Sequence, residues 1–345
     1  MENLRFKALT RPFIIAEMSG NHNQSLERAL RIVDAAAETG VDAIKLQTYT
    51  ADTMTLDLKD GDFFISNPES LWHGSSLYEL YQKAHTPWEW QKKIFTRAQE
   101  YGLICFSTPF DATAVDFLEE LGTPCYKIAS FENTDLPLIR KVAQTGKPLI
   151  VSTGMATVAE LDELVRTARQ SGCSDITLLK CTSSYPATPV GSNILTIPHM
   201  KELFRCTVGL SDHTLGIGAA VASIALGATV IEKHFTLARA DGGVDSAFSM
   251  EPEEMALLVR ECRAAWEALG EISYDVQPQE EKSLAFRRSL YIVEDMKAGD
   301  VITAENMRAI RPGYGLSPRY YDVLLGRRVG CNVRRGTPLS WDMLG

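Results

Sequence analysis

The sequence lacks several features that would place it in a specialised class of protein. No two cysteines have the spacing CxxC, which argues against a zinc site built from thiolates. The seven cysteines are an odd number scattered through apparent strands and helices, so we expect reduced cysteines rather than a disulfide framework. No run approaches the roughly 18 uninterrupted apolar residues of a membrane span, and the first residues carry no apolar stretch of signal-peptide length.

An excess of positive charge is also missing. The chain has 44 acidic side chains against 35 lysines and arginines, for a net charge of −9. This balance argues against general binding to nucleic acid or to an anionic membrane, although it is compatible with a local cationic pocket. We therefore expect a cytoplasmic globular protein whose partners include neither nucleic acid nor membrane.

What the chain does contain is a regular alternation of short β-like runs and amphipathic helical stretches. The predicted strands are Phe13–Glu17, Ala43–Gln47, Ile104–Thr108, Cys125–Ile128, Pro148–Ser152, Ile176–Lys180, Thr207–Leu210 and Val230–His234. A helical stretch follows each of them. Eight such units over about 250 residues predict an α/β fold, a closed (β/α)₈ TIM barrel. The alternative is an open doubly wound sheet, but no GxGxxG follows the first strand.

Two segments depart from the alternation. Residues 50–83 form a long insertion after the second strand, either a lid over the barrel mouth or a packed excursion. The helical pattern then stops after Leu269 in a polar stretch. We predict a catalytic barrel over residues 1–269, a linker over 270–284 and a small C-terminal domain over 285–345.

Polar side chains gather at the carboxyl ends of the predicted strands, which converge on one mouth of a barrel. A serine or threonine lies near almost every strand end, together with four lysines: Lys45, Lys127, Lys180 and Lys233. Lysines, hydroxyls and backbone amides are what a phosphate and a carboxylate require. The mouth is therefore predicted to bind a small, highly anionic substrate.

Histidines and carboxylates add to this mouth. His213 and His234 end adjacent strands, and two imidazoles with open positions suit Mn²⁺, Fe²⁺, Co²⁺ or Zn²⁺. Glu17, Glu132 and Asp245 are candidates for acid–base work or for holding substrate hydroxyls, against the alternative of structural ion pairs.

A series of motifs makes the prediction specific. IAEMSGNHN, IKLQTY, FSTPFD, YKIAS, STGMAT, SSYPATP, GLSDHT and EKHF follow one another along the chain. Together they resemble the sialic acid synthase family, which condenses phosphoenolpyruvate with an amino sugar to give nine-carbon nonulosonic acids. The segments AGDVITAENMRAIRPGYGLSP and RRGTPLSWDML resemble the antifreeze-like (SAF, β-clip) domain of that family.

The resemblance implies roles for matching positions. Phosphoenolpyruvate would contact Lys45, Thr108, Lys127, Ser130, Ser152 and Ser211. The divalent metal, Mn²⁺ with Mg²⁺ or Co²⁺ as alternatives, would bind His213 and His234. The acceptor sugar or its protons would involve Glu17, Gln47, Glu132, Tyr185 and Asp245. Arg311 would reach the barrel mouth of a second subunit, so the resemblance also implies a homodimer.

The segments EMSGNHNQS and LYELYQKAHTPWEW resemble the pseudaminic acid branch of the family. That branch implies an open-chain 2,4-diacetamido-2,4,6-trideoxy hexose of the altrose type as the acceptor. N-acetylneuraminate or legionaminate synthesis is the nearer alternative. A class I aldolase with a Schiff base on Lys180 or Lys127 is the more remote one. Ser183 stands where neuraminate-type members have Asn, which leaves its role open.

Overall fold

The computed structural model describes residues 4–345, whose contacts divide the chain after Gly270 into two compact units. In the first unit eight parallel strands pair in sequence order, and the eighth pairs with the first to close a barrel. The TIM-barrel prediction is confirmed. The strands are β1 (Phe13–Glu17), β2 (Ala43–Thr48), β3 (Ile104–Pro109), β4 (Tyr126–Ile128), β5 (Leu149–Ser152), β6 (Ile176–Cys181), β7 (Thr207–Ser211) and β8 (Val230–His234).

A helix follows every strand of the barrel, and local sequence signals start several of them. Ser25 caps the first helix by accepting a hydrogen bond from the backbone N–H of Arg28, and Thr157 caps another in a capping box with Glu160. The helices of this unit are α1 (Leu26–Thr39), α2 (Ala51–Met54), α3 (Leu77–Ala84), α4 (Trp88–Glu100), α5 (Ala112–Leu121), α6 (Leu136–Ala143), α7 (Val158–Gln170), α8 (Thr196–Phe204), α9 (Gly218–Ala225) and α10 (Pro252–Leu269).

The insertion after β2 contains α2 and α3 and packs onto the loops of the barrel mouth. An isolated antiparallel bridge joins Phe64 to Ser76 within the insertion. The indole N–H of Trp72 donates to the carbonyl of Val244, in the loop after β8, at 3.1 Å. The insertion is therefore a lid element over the mouth, one of the two forms that the sequence left open.

The barrel interior changes from apolar to polar along the strands. Its amino-terminal end is filled by a hydrophobic cluster of Phe6, Phe13, Ile15, Ala43, Phe106, Cys125, Ile150, Leu179 and Val230. Phe6 lies in a 3₁₀ turn before β1 and packs edge-on against Phe13, with ring centroids 5.3 Å apart. Since side chains two residues apart share a face of a strand, the next interior positions carry the polar residues of the mouth.

Two of the four lysines predicted at the mouth do not face it, which corrects the sequence-based prediction. Lys233 is buried with its ammonium 2.9 Å from Asp212 Oδ2, and it also donates to the carbonyls of Thr214 and Gly216. Lys180 donates to the carbonyl of Cys181. Both lysines lie between residues that point inward, so their side chains leave the barrel on the helix side.

The second unit, Glu271–Gly345, has its own small core. Strands β9 (Ser289–Ile292) and β10 (Met307–Ile310) pair antiparallel, with Leu290 opposite Ala309, and a short helix α11 (Tyr321–Leu324) follows. Its core is formed by Leu290, Ile292, Met296, Ile302, Met307, Leu324, Val329, Val333 and Leu339. Within the segment predicted as a linker, residues from Pro278 onward form a 3₁₀ helix that ends at Phe286.

Over residues 4–345, none of the helices combines the length and the apolar character that crossing a membrane would require.

The buried pair of Lys233 and Asp212 generates a stability prediction. Asp212→Ala would leave a buried ammonium facing only two carbonyl oxygens, so we expect the free energy of unfolding to fall by about 3–5 kcal/mol. Denaturant unfolding followed by circular dichroism measures this. The matched control is Asp162→Ala, which breaks the exposed pair with Arg166 at 2.8 Å and should cost less than about 1 kcal/mol. Equal small losses in both variants would contradict the structural role.

Candidate active site

The mouth of the barrel holds a cavity of about 440 Å³, enclosed by strand ends, by the loops that follow them and by the lid insertion. Of the predicted site residues, those that line this cavity are Glu17, Lys45, Gln47, Lys127, Ser130, Glu132, Ser152, Tyr185, Ser211, His213, His234 and Asp245. Thr108 lies just behind it and accepts a hydrogen bond from Lys45 at 3.1 Å. Arg311 is an exposed residue of the second unit and is not among the residues that line the cavity.

A cluster of four buried charged groups forms the floor of the cavity. The ammonium of Lys45 lies 2.5 Å from Glu17 and 3.9 Å from Glu232, and that of Lys127 lies 3.3 Å from Glu232. Ser211 also donates to Glu232 at 3.1 Å. Two ammonium groups held by two carboxylates are preorganised cations, because the strands fix their positions before any anion arrives.

Burial and charge pull on the pKa values of this floor in opposite directions. Burial raises the pKa of Glu17 to about 7, despite the opposing effect of Lys45. For Glu232 burial acts in the same sense, but the ammonium groups of Lys127 and Lys45 outweigh it and hold the pKa below the ordinary value. Burial also lowers the pKa of Lys127, and Glu232 offsets only part of that effect.

Hydroxyl groups at the end of β5 and in the loop after β4 line the cavity above the floor. Ser152 Oγ is buried and has no hydrogen-bond partner within the described residues, and Ser130 Oγ accepts from the backbone N–H of Gly154 at 3.1 Å. A Cβ atom at Gly154 would lie 2.2 Å from the hydroxyl of Ser183 and 2.7 Å from that of Ser130. Glycine at this position therefore lets three loops close together, and Ser152 retains a free donor for a ligand.

The two histidines lie side by side, with ring centroids 5.3 Å apart. His213 Nδ1 donates to the carbonyl of Thr182 at 3.1 Å, which leaves Nε2 as an acceptor. His234 is half-buried, its Nδ1 is buried with no partner within residues 4–345, and desolvation lowers its pKa well below the ordinary value. A neutral imidazole with an unpartnered buried nitrogen has the form of a metal ligand, so this pair fits a divalent cation.

An aromatic ring contacts the imidazole pair, and two further carboxyl groups line the same cavity. The ring of Tyr185 packs against His213 with centroids 4.6 Å apart, and Asp245 accepts a hydrogen bond from Ser19. Glu132 has one buried carboxylate oxygen without a partner in the part of the chain described. Burial raises its pKa to about 7, although Lys127 opposes the shift. A carboxyl group that titrates near neutral pH can exchange protons with a substrate.

Two chemically active side chains on the barrel strands are among the cavity residues that the sequence-based prediction missed. Glu232 links both lysines of the floor, and Cys181 lies with its sulfur 3.9 Å from His213 Nδ1. Burial alone would raise the pKa of this thiol, but the contact with His213 outweighs it and lowers the pKa to about 7. The signal was present: Glu232 is two residues before His234, and Cys181 two after the core residue Leu179, so both share the inward phase.

His22, the remaining histidine near the mouth, has a structural position. Its imidazole is buried between Thr86, whose hydroxyl lies 3.2 Å from Nε2, and the backbone N–H of Gln24. Burial lowers its pKa to about 4, and the residue does not line the cavity. This placement matches a packing role.

Both units of the chain resemble known proteins. The sequence profile of the NeuB family matches residues 32–274, and that of the SAF domain matches residues 287–345. A pseudaminic acid synthase of Campylobacter jejuni is 44% identical over 95% of this chain and 95% of its own length. A pseudaminic acid synthase of Helicobacter pylori is 43% identical over 96% of this chain and 97% of its own length.

Solved structures agree with the sequence relatives. An N-acetylneuraminic acid synthetase of Leptospira borgpetersenii, determined in complex with citrate, superposes with a TM-score of 0.71 at 30% identity, covering 80% of this chain and 90% of that one. The closed barrel, its polar mouth and the second unit thus lie in a chain whose relatives match almost the whole sequence. The chain belongs to the NeuB family and carries a C-terminal SAF domain.

Proposed function

We propose that this protein is a pseudaminic acid synthase. It joins C3 of phosphoenolpyruvate to the aldehyde carbon of an open-chain 2,4-diacetamido-2,4,6-trideoxy hexose of the altrose type, and it releases phosphate. The observation that carries the proposal is a single cavity in which two buried ammonium groups, an imidazole pair and two carboxyl groups with pKa values near 7 meet. The two pseudaminic acid synthases, matched over almost their full length, support this choice of acceptor.

Phosphoenolpyruvate would bind at the floor of the cavity. Lys45 and Lys127 supply positive charge, and the free hydroxyl of Ser152 supplies a donor to an anionic oxygen. The related Leptospira synthetase was determined with citrate, another compact polyanion. Fixing the enol phosphate on the strand ends would place its C3 for attack and remove much of the entropic barrier to a two-substrate reaction.

The imidazole pair would hold a divalent cation, for which we favour Mn²⁺. Within residues 4–345 no third histidine, cysteine, aspartate or glutamate side chain joins this pair in a group that could hold a metal ion. Water and substrate would therefore complete the coordination of a cation bound by His213 and His234. A cation bound there would supply Lewis acidity to the aldehyde oxygen of the sugar.

The remaining steps require movement of protons. The new bond takes its electron pair from the double bond of phosphoenolpyruvate, and water adds to C2, losing one proton while the former aldehyde oxygen gains one. The C2–O bond to phosphate then breaks, C2 becomes a ketone, and the proton of its hydroxyl group leaves with the phosphate. We assign the proton acceptor to Glu132, because among the described residues no lysine forms an ion pair with it, whereas Glu17 contacts Lys45.

The SAF domain would complete the site of a second subunit. Arg311 lies at the end of β10, exposed to solvent, and guanidinium groups suit the hydrogen-bond acceptors of a sugar. We propose a homodimer in which Arg311 of each chain contacts the acceptor sugar bound by the other.

The test of the function is phosphate release from phosphoenolpyruvate with purified protein and a panel of acceptors. We expect turnover with 2,4-diacetamido-2,4,6-trideoxyaltrose and little with N-acetylmannosamine or the diacetamido sugar of legionaminate synthesis. A nine-carbon product identified by mass spectrometry completes the result. Preference for either of the other sugars would assign the protein to another branch of the family.

Metal dependence is tested on the same reaction. Chelation should abolish phosphate release, because the aldehyde oxygen would lose the Lewis acid that polarises it. Addition of Mn²⁺ should restore the activity. Calorimetric titration with Mn²⁺ should show binding to the wild type and none to His234→Ala. The control is His199→Ala, on helix α8. Full activity of the chelated enzyme would exclude the metal role.

The pKa of Glu132 generates a pH prediction. Its carboxylate is present above about pH 7 and is lost as the pH falls through that value, so kcat/KM should decline on the acidic side with a midpoint near 7. Glu132→Gln should lower kcat by about 100-fold or more. Glu163→Gln, an exposed carboxyl on α7, is the matched control. An unchanged rate and acidic limb in Glu132→Gln would transfer the role to Glu17.

Arg311→Ala should raise the KM for the sugar about tenfold, the loss expected for a charge-assisted hydrogen bond, and leave the KM for phosphoenolpyruvate unchanged. Sedimentation should show a dimer in both proteins. A monomeric wild type with full activity would contradict the shared site.

A further inference from the structure

Helix α3 of the lid turns its apolar stripe toward the cavity. Leu77, Leu80, Tyr81 and Ala84 occupy positions i, i+3, i+4 and i+7, and all four line the cavity. A helix on the surface of a barrel ordinarily buries such a stripe in the core. None of these four side chains belongs to the hydrophobic clusters of the barrel within the described residues. The stripe therefore serves the cavity and not the stability of the barrel core.

Three more apolar side chains extend this surface. Met54 lies at the end of α2, Phe110 follows β3, and Ile65 lies in the loop between α2 and α3. The backbone of Ile65 is held on both sides, since its N–H donates to Ser75 and its carbonyl accepts from Gly74, each at 3.0 Å. We define the apolar wall as Met54, Ile65, Leu77, Leu80 and Phe110.

The outer side of α3 fixes the apolar wall in position. Ser76 and Glu79 form a capping box at its start, and Glu79 also pairs with Lys59 at 2.8 Å. At its other end, Gln24 of the β1 loop donates to the carbonyls of Lys83 and His85.

The same end of the helix packs tightly against the β1 loop. A Cβ atom at Gly20 would lie only 3.2 Å from the Cα of Ala84. Helix α3 is thus anchored to the barrel, so the wall residues that it carries have a fixed position.

The cavity therefore has two chemically different ends. Ammonium, carboxyl and imidazole groups come from the strand ends, whereas the apolar wall comes from the lid and from the loop after β3. Half-buried aliphatic side chains favour contact with a methyl group, and they offer no partner to a hydroxyl that must give up its hydrogen bonds to water. In an extended open-chain hexose whose C1 lies at the imidazole pair, C6 is the carbon farthest from that pair.

We propose that the apolar wall receives the C6 methyl group of the acceptor and makes the enzyme select 6-deoxy sugars over their 6-hydroxy counterparts. This inference rests on the proposed function. It assigns acceptor choice at C6 to side chains that take no part in binding phosphoenolpyruvate.

The experiment compares two acceptors that differ only at C6: 2,4-diacetamido-2,4,6-trideoxyaltrose and 2,4-diacetamido-2,4-dideoxyaltrose. For the wild type, kcat/KM should favour the deoxy sugar by about 10- to 100-fold, the range expected for an apolar pocket. Leu80→Asn, close to isosteric, should lower kcat/KM for the deoxy sugar about tenfold and reduce the preference to about threefold or less. The KM for phosphoenolpyruvate should not change.

Gln82→Asn, at an exposed position of the same helix, is the matched control and should keep the wild-type preference. Circular dichroism checks folding, and Ile65→Thr replaces Leu80→Asn if that variant does not fold. A wild-type preference that survives in both wall variants overturns the inference and leaves the proposed function intact. A wild type that does not turn over the deoxy sugar but accepts another sugar overturns the proposed function itself.

Discussion

The site depends on charges that are buried in the barrel before any substrate binds. Lys45 and Lys127 are held on the inner face of their strands by Glu17 and Glu232, and Ser211 and Thr108 complete the hydrogen bonding. Burying one such charge alone would be prohibitive, and pairing makes it tolerable. The arrangement gives the floor no net excess of negative charge, so a polyanion meets cations that have already lost their water.

Much of this could be predicted from the sequence, because a barrel places the carboxyl ends of all strands at one mouth. The order of the strands, the polar strand ends and the histidine pair followed from that rule alone. The errors came from ignoring the alternation of side chains within a strand. Lys180 and Lys233 end or nearly end their strands but have the outward phase, while Glu232 and Cys181 have the inward one.

Other properties could not be predicted from the sequence, because they arise from contacts between distant segments. The pKa of Glu132 depends on burial beside Lys127, and the free nitrogen of His213 depends on a carbonyl 31 residues away. Ser130 and Ser183 can lie close together because the residue between them, Gly154, has no side chain. The sequence does not reveal this role, because a glycine in a loop is equally compatible with a tight turn. The apolar residues of the insertion could be recognised in the sequence, but the surface that they contact could not be predicted.

Because of that insertion, the groups that carry out the reaction and most of the side chains of the apolar wall lie in different segments of the chain. The strands that carry the charged floor are hydrogen bonded to neighbours on both sides, so a one-residue shift in β8 would exchange Glu232 and His234 for Lys233. The lid lies outside this ladder, and in the part of the chain that the structure describes the side chains of the apolar wall belong to neither hydrophobic cluster of the barrel. Substitutions there can remodel the space offered to the acceptor while the reacting groups stay in register. Divergence in acceptor range within such a family is therefore accessible through a segment of some thirty residues without disturbing the chemistry.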